Sequence, residues 1–153
     1  MNIFLSQPDD LPEWFSLARE VEPLFGPMVD VPEFQSGLLT AINENRALCV
    51  RDENDSGTRR MVGGVIIDTK ENEILWLAVS QTSRGRGVGR ILLMDAITRM
   101  DTTRPIRVQT YATHVEAGNS ARHLYTDLGF TDVQDGGLNP AGLPTVIMER
   151  PVK

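Results

Sequence analysis

Ile74-Leu75-Trp76-Leu77-Ala78-Val79 is followed four residues later by Arg84-Gly85-Arg86-Gly87-Val88-Gly89-Arg90, and a helical pattern begins directly behind the second stretch. The apolar run predicts a strand, the glycines a bend, and the residues from Val88 onward the open N-terminus of a helix. The first turn of a helix leaves backbone N–H groups unpaired and carries partial positive charge, so an anion placed there meets both deficits. Gly85, Gly87 and Gly89 have no Cβ to hold a ligand off the backbone and can take positive φ where the bend needs it. Arg84, Arg86 and Arg90 add fixed charge, and no Asp or Glu occurs from Ile74 to Met94. The segment therefore reads as a cradle for a phosphate-bearing ligand.

That cradle sits in an acidic chain, with 15 Lys and Arg against 21 Asp and Glu and a formal net charge of −6. At physiological salt the Debye length is about 8 Å, so three clustered arginines decide the local field and distant carboxylates do not. One compact basic patch is not the broad face that duplex binding requires, which argues against a nucleic-acid partner. No apolar stretch approaches the roughly 18 residues of a membrane span. The 153 residues, 41% of them hydrophobic, predict one domain over 1–153 with its own core. The single cysteine, Cys49, cannot form an internal disulfide and lies in a strand-like run, so it reads as a buried thiol. The N-terminus has no basic flank and no small-residue cleavage site, and a cytoplasmic location is the expectation.

Around the cradle the pattern alternates between strands and helices. Ile3–Leu5 predicts an opening strand. Asp10-Leu11-Pro12-Glu13 and Asp30-Val31-Pro32-Glu33 each offer an Asp cap, an early Pro and a Glu three residues on. Leu11, Trp14, Phe15, Ala18 and Val21 then share one helical face, as do Val31, Phe34, Leu38, Ala41 and Ile42. Strands over Ala47–Arg51 and Met61–Asp68, separated by the polar run from Asp52 to Arg60, predict an antiparallel hairpin with a loose loop. Glu73–Val79 is the next strand, and the helix behind the glycines buries Val88, Ile91, Leu92, Ala96 and Met100. Ile106–Tyr111 is a strand, and a helix over Asn119–Leu128 ends at Gly129. Phe130–Val133 and Val146–Glu149 close the fold. The Gly136–Pro144 stretch between them reads as a loop too rich in Gly and Pro for a tight hairpin.

Two phosphate-loop motifs fail at these residues. A nucleotide P-loop ends in Gly-Lys-Ser or Gly-Lys-Thr, where this chain has Gly89-Arg90-Ile91. A dinucleotide fingerprint starting at Gly85 would need its third small residue at Arg90, and the acid expected about 20 residues on falls near Pro105.

The order and spacing instead resemble the GNAT superfamily of acetyl-CoA-dependent N-acetyltransferases. Its signature Q/R-x-x-G-x-G/A is met by Arg84, Gly87 and Gly89. A second block, N-x-x-A-x-x-L-Y-x-x-x-G-F, is matched by Asn119, Ala121, Leu124-Tyr125 and Gly129-Phe130, with the alanine shifted by one. Together the blocks cover most of residues 73 to 131. The segment from Thr110 to Gly118 is longer than the family's usual connection.

The resemblance implies an α/β (α+β) fold: a mixed, mostly antiparallel twisted sheet of six to seven strands with about four helices, its central strands splayed. It implies acetyl transfer from acetyl-CoA to a primary amine of a small molecule or peptide by direct attack in a ternary complex. The alternative is a non-catalytic acyl-CoA sensor or interaction module. The implied cofactor contacts are Leu77, Ala78 and Val79 along a bulged strand, residues Arg84 to Arg90 in the cradle (Arg84, Gly85, Arg86, Gly87, Val88, Gly89, Arg90), and Tyr125. Asn119 reads equally as a helix cap or a cofactor contact. Tyr125 takes the family's general-acid position and also fits as a core residue. Glu73 opens the strand where some relatives carry a general base, with His114, Glu116 or water as rivals. Two histidines, His114 and His123, make no metal cluster. Pairing into a homodimer is compatible with the family. Trp14, Phe15, Phe25 and Phe34 fit either an apolar acceptor pocket or the core.

Overall fold

A computed structural model describes residues 2–53 and 59–152, so most of the loop of the first hairpin lies outside the described residues. Seven strands form one sheet in the order β1-β2-β3-β4-β5-β7-β6. They are β1 (Asn2–Leu5), β2 (Ala47–Glu53), β3 (Arg59–Asp68), β4 (Glu73–Val79), β5 (Ile106–Tyr111), β6 (Thr131–Leu138) and β7 (Pro144–Arg150). Neighbours pair antiparallel except β4 and β5, which run parallel. Four α-helices flank the sheet: α1 (Leu11–Phe25), α2 (Pro32–Asn43), α3 (Val88–Thr98) and α4 (Asn119–Asp127). This is the expected fold class.

Strand alternation, shifted by one at Val62 where β3 carries an extra residue opposite the Val50–Arg51 step of β2, sorts the core into two layers. Leu48, Val50, Val62 and Val65 join the buried residues of α3 and α4 on one face. Ala47, Cys49 and Ile66 join those of α1 and α2 on the other. Trp14 is fully buried at the centre of the second layer, and its indole N–H donates to Ser6 Oγ at 3.0 Å. A Cβ on Gly64 would stand 2.5 Å from the Trp14 ring, so glycine is what lets the indole pack this closely against β3. Cys49 is buried, and desolvation raises its thiol pKa, in keeping with an inert core residue.

Three local expectations are corrected. Asp10 makes no side-chain cap for α1; its carboxylate instead accepts from Gln7 N–H at 2.7 Å and from Arg51 at 2.5 Å. The N-cap of α2 is Val31, and Asp30 lies one residue outside it. The Gly136–Pro144 stretch is only partly loop: β6 continues through Gly136 and Gly137 to Leu138 by irregular pairing with β7, which starts at Pro144, leaving the short connection Asn139–Leu143. Gly137 has φ 76°, a conformation in which glycine carries the strand past the bulge.

One feature of β4 breaks the alternation. Ile67 pairs with Ile74 and Ile66 with Trp76, so Leu75 is an extra residue opposite that step. Ile74 consequently belongs to the α3/α4 layer, whereas Trp76 packs with the α1/α2 layer two residues later. Leu75 itself is half exposed.

Candidate functional site

The bulge coincides with the parting of β4 from β5. These strands pair only at Glu73 with Arg107 and Ile74 with Val108. From Leu75 onward β4 keeps β3 on one side and faces an open gap on the other. Ser80 N–H donates to Val62 O at 2.7 Å. Because successive residues of a strand turn their backbone groups to opposite sides, Ala78 and Trp76 also address β3, and Val79 and Leu77 address the gap.

Beyond β4, a short 3-10 turn over Gln81–Ser83 leads to the glycine bend. Gly85 and Gly87 have φ 79° and 83°, and neither has a heavy atom within 4 Å of where a Cβ would sit. Gly87 is the N-cap of α3, with no side-chain cap. The first bond into the helix is Ile91 N–H to Gly87 O at 3.1 Å, which leaves the amides of Val88, Gly89 and Arg90 without intrahelical acceptors. Gly89 has a different role: a Cβ there would meet Leu124 at 3.2 Å, so glycine allows α3 to approach α4.

Gap and bend belong to one cleft of about 730 Å³. Leu77, Ala78, Val79, Arg84, Gly85, Gly87, Val88, Gly89, Arg90 and Tyr125 all line it. Tyr125 is buried on α4, 5.5 Å between ring centroids from Phe130, and burial pushes its hydroxyl pKa well above the ordinary tyrosine value. It is thus both a core residue and part of the cleft wall. A ligand with phosphates and an extended arm fits these features. Free amides and open space stand at the bend, and β4 backbone with no strand partner on that side runs on from it, Val79 O accepting from Arg84 Nε at 3.4 Å.

Three predicted residues and two rivals lie elsewhere. Arg86 turns to Asp52 at 2.6 Å and is not in the cleft wall. Asn119 is exposed and occupies the first helical position of α4 behind the N-cap Gly118; its neighbour Ser120 reaches the cleft in its place. Glu73 stands at the paired end of β4 beside Arg107, on the far side of the bulge from Val79, and does not line the cleft. Burial raises its carboxyl pKa, with Arg107 opposing. His114 and Glu116 are exposed and also outside the lining. Among the described residues, no group of three or more metal-ligating side chains comes together.

Sequence reasoning missed the opposite end of the cleft, formed by Met28, Trp76, Tyr111 and Leu138 together with the expected Phe25. Trp76 and Tyr111 flank Phe25 at centroid distances of 6.0 and 6.2 Å. Among the described residues, Trp76 Nε1 and Tyr111 Oη are buried without a hydrogen-bond partner, and burial pushes the Tyr111 pKa up to about 12. Trp14, Phe15 and Phe34 belong to the α1/α2 layer and not to the cleft. Asn139 ties the β6–β7 connection over this end: its Nδ2 donates to Leu24 O at 2.9 Å and its Oδ1 accepts from Ala141 and Leu143 N–H.

Comparison with known proteins agrees with this arrangement. Residues 44–132 match the sequence model of the acetyltransferase (GNAT) domain. Among solved structures, a GNAT-family acetyltransferase from Bacillus cereus ATCC 10987 is 19% identical with a TM-score of 0.74, over 99% of this chain and 97% of that one. Arabidopsis thaliana NAA60, solved with a bisubstrate analogue, is 16% identical with a TM-score of 0.75, over 99% of each chain. The PaiA N-acetyltransferase of Thermoplasma acidophilum, solved with coenzyme A, is 19% identical with a TM-score of 0.68, over 98% of each. At such identities the structures speak for the fold alone. No protein with a curated description matches the sequence. With a domain match over more than half its length and a splayed sheet opening onto a glycine bend, the chain belongs to the GNAT family and is an acyl-CoA-dependent acyltransferase.

Proposed function

We propose that this protein transfers an acetyl group from acetyl-CoA to a primary amine of a small molecule or peptide, the amine attacking directly while both substrates are bound. The observation that carries the reading is the continuity of the cleft. Free amides at the start of α3 lie at one end, β4 backbone parted from β5 along the middle, and an apolar chamber beyond.

In this reading the amides of Val88, Gly89 and Arg90, with Arg84, hold the diphosphate, and Leu77 and Val79 pair with the pantetheine arm as an added strand would. Bound acetyl-CoA supplies an activated acyl group, whose transfer forms a C–N bond as the C–S bond breaks. Val79 N–H faces the gap and is the candidate donor to the carbonyl oxygen, a contact whose loss typically costs about 2.7–4 kcal/mol. Tyr125 Oη holds a proton that burial keeps on the oxygen, available to the departing sulfur. Glu73 is not assigned the base because the geometry keeps it out of the cleft wall.

A thiol-release assay with acetyl-CoA and a panel of amines tests the proposal. Release that depends on an amine is expected. Calorimetric binding of acetyl-CoA with no release from any amine would instead make the protein an acyl-CoA sensor.

A further inference from the structure

The far end of the cleft carries its own chemical statement. Phe25, Met28, Trp76, Tyr111, Leu138 and Pro140 line it, and among the described lining residues there is no Asp, Glu or His. The orphan atoms Trp76 Nε1 and Tyr111 Oη are sealed from solvent, so towards a cation the chamber presents aromatic faces and no charged partner. The surrounding carboxylates are committed. Glu22 on α1 accepts from Met28 and Val29 N–H at 2.8 and 3.0 Å, bonds that lower its pKa. Glu20 on α1 accepts from Ser80 Oγ and Gln81 N–H. Glu73 on β4 stands beside Arg107. On the cofactor side the charged groups are Arg84 and Arg90, and the remaining titratable group, Tyr125 on α4, stays protonated. Above the chamber, the Asn139–Leu24 tie and the seating of Pro140 against Gly26 bridge α1 to the β6–β7 connection.

Resting on the transferase reading, we infer that the acceptor is a primary amine on an apolar, uncharged carrier. It enters end-on, and its nitrogen is made neutral by solvent rather than by a protein carboxylate or imidazole. A second ammonium in this chamber would be desolvated with no carboxylate to pair it, a cost that the aromatic faces offset only in part. A chain lying across the chamber would have to cross the tie; an amine terminus does not. An amine deprotonated in solution reacts in proportion to its neutral fraction, so amines of low pKa are favoured near neutral pH.

Thiol release by the whole protein with acetyl-CoA tests this on matched amines. Hexylamine is expected to exceed 1,6-diaminohexane in kcat/KM at equal neutral-amine concentration by at least roughly thirtyfold, the penalty of one unpaired buried ammonium. In pH profiles for hexylamine and phenylalaninamide, the rise in kcat/KM should end at each amine's own pKa. Phenylalaninamide against a Phe-led tetrapeptide separates a free small amine from a peptide terminus as the source. Leu138→Glu, at a residue 70% exposed and so harmless to folding, should narrow the monoamine preference at least about threefold by giving the second ammonium a partner. Equal or better use of the diamine, or one fixed pKa for every amine, would overturn the inference while leaving the transferase reading intact. No release with any amine would remove that reading, and the inference with it.

Discussion

Tyr125 shows how one side chain serves two ends. Its ring fills the α3/α4 layer against Phe130 while the residue lines the cleft, and burial keeps the hydroxyl protonated far into the alkaline range. Tyr125→Phe preserves the ring, so it should lower kcat at least about tenfold while acetyl-CoA affinity stays within about twofold. Steady-state kinetics beside calorimetry check this, and unchanged kcat would take the hydroxyl out of the chemistry. Tyr111 behaves differently, because its buried hydroxyl has no partner. Deleting such a group is neutral or stabilising, so Tyr111→Phe should change stability at pH 7 by no more than about 1 kcal/mol on the unfavourable side. The folded pKa of about 12 lies above the ordinary 10.0, so between those values the folded chain keeps a proton that the unfolded chain loses. Its contribution is therefore complete below pH 10 and falls as pH rises toward 12. Urea titrations across that window should show a shallower alkaline loss in Tyr111→Phe than in the unsubstituted protein.

Among the elements, β4 decides the most. Its bounds are legible from composition, since Glu73–Val79 is an apolar run closed by Ser80. The extra residue at Leu75 is not, because a bulge depends on how Ile66 and Ile67 register on the facing strand. That single step moves Trp76 to the α1/α2 face and so makes it a wall of the cleft's far end, a placement that plain alternation from Ile74 would deny. The paired end of β4 is held by Asn72, which is buried with φ 58°. Its Nδ2 donates to the carbonyls of Asp101 and Pro105 and its Oδ1 accepts from Asp101 N–H. These bonds fix the α3–β5 connection and hence where β5 begins to diverge. Asn72→Ala leaves those buried groups without partners and should cost roughly 2–4 kcal/mol in chemical denaturation. A loss under about 0.5 kcal/mol would show that the connection holds itself.

At the scale of the whole molecule, the two layers divide the work. The α3/α4 side carries the bend and Tyr125, and most of it was readable because phosphate recognition by backbone depends on local glycines and a helix start. Even there, Arg86 and Asn119 were misplaced, since Asp52 and the 3-10 turn before α4 are tertiary facts. The α1/α2 side and the β6–β7 connection build the far end from residues distant in sequence, such as Phe25, Trp76, Tyr111 and Leu138. No local motif marks them, and of the four aromatic residues offered for an acceptor pocket, Trp14, Phe15, Phe25 and Phe34, only Phe25 reaches the cleft. The net charge of −6 leaves the basic patch at the bend as a local exception, so binding there rests on short-range geometry more than on long-range attraction.

That geometry can be measured by calorimetric titration of acetyl-CoA into Gly87→Glu and Gly37→Glu. Both add the same charge at a glycine with open space around it, one at the bend with φ 83° and one on the exposed face of α2. The account expects Gly87→Glu to weaken binding on the order of a hundredfold or more, through a strained backbone and a carboxylate facing the phosphates, while Gly37→Glu binds like the unsubstituted protein. Equal affinity in the two variants would contradict the claim that the opening of α3 grips the cofactor.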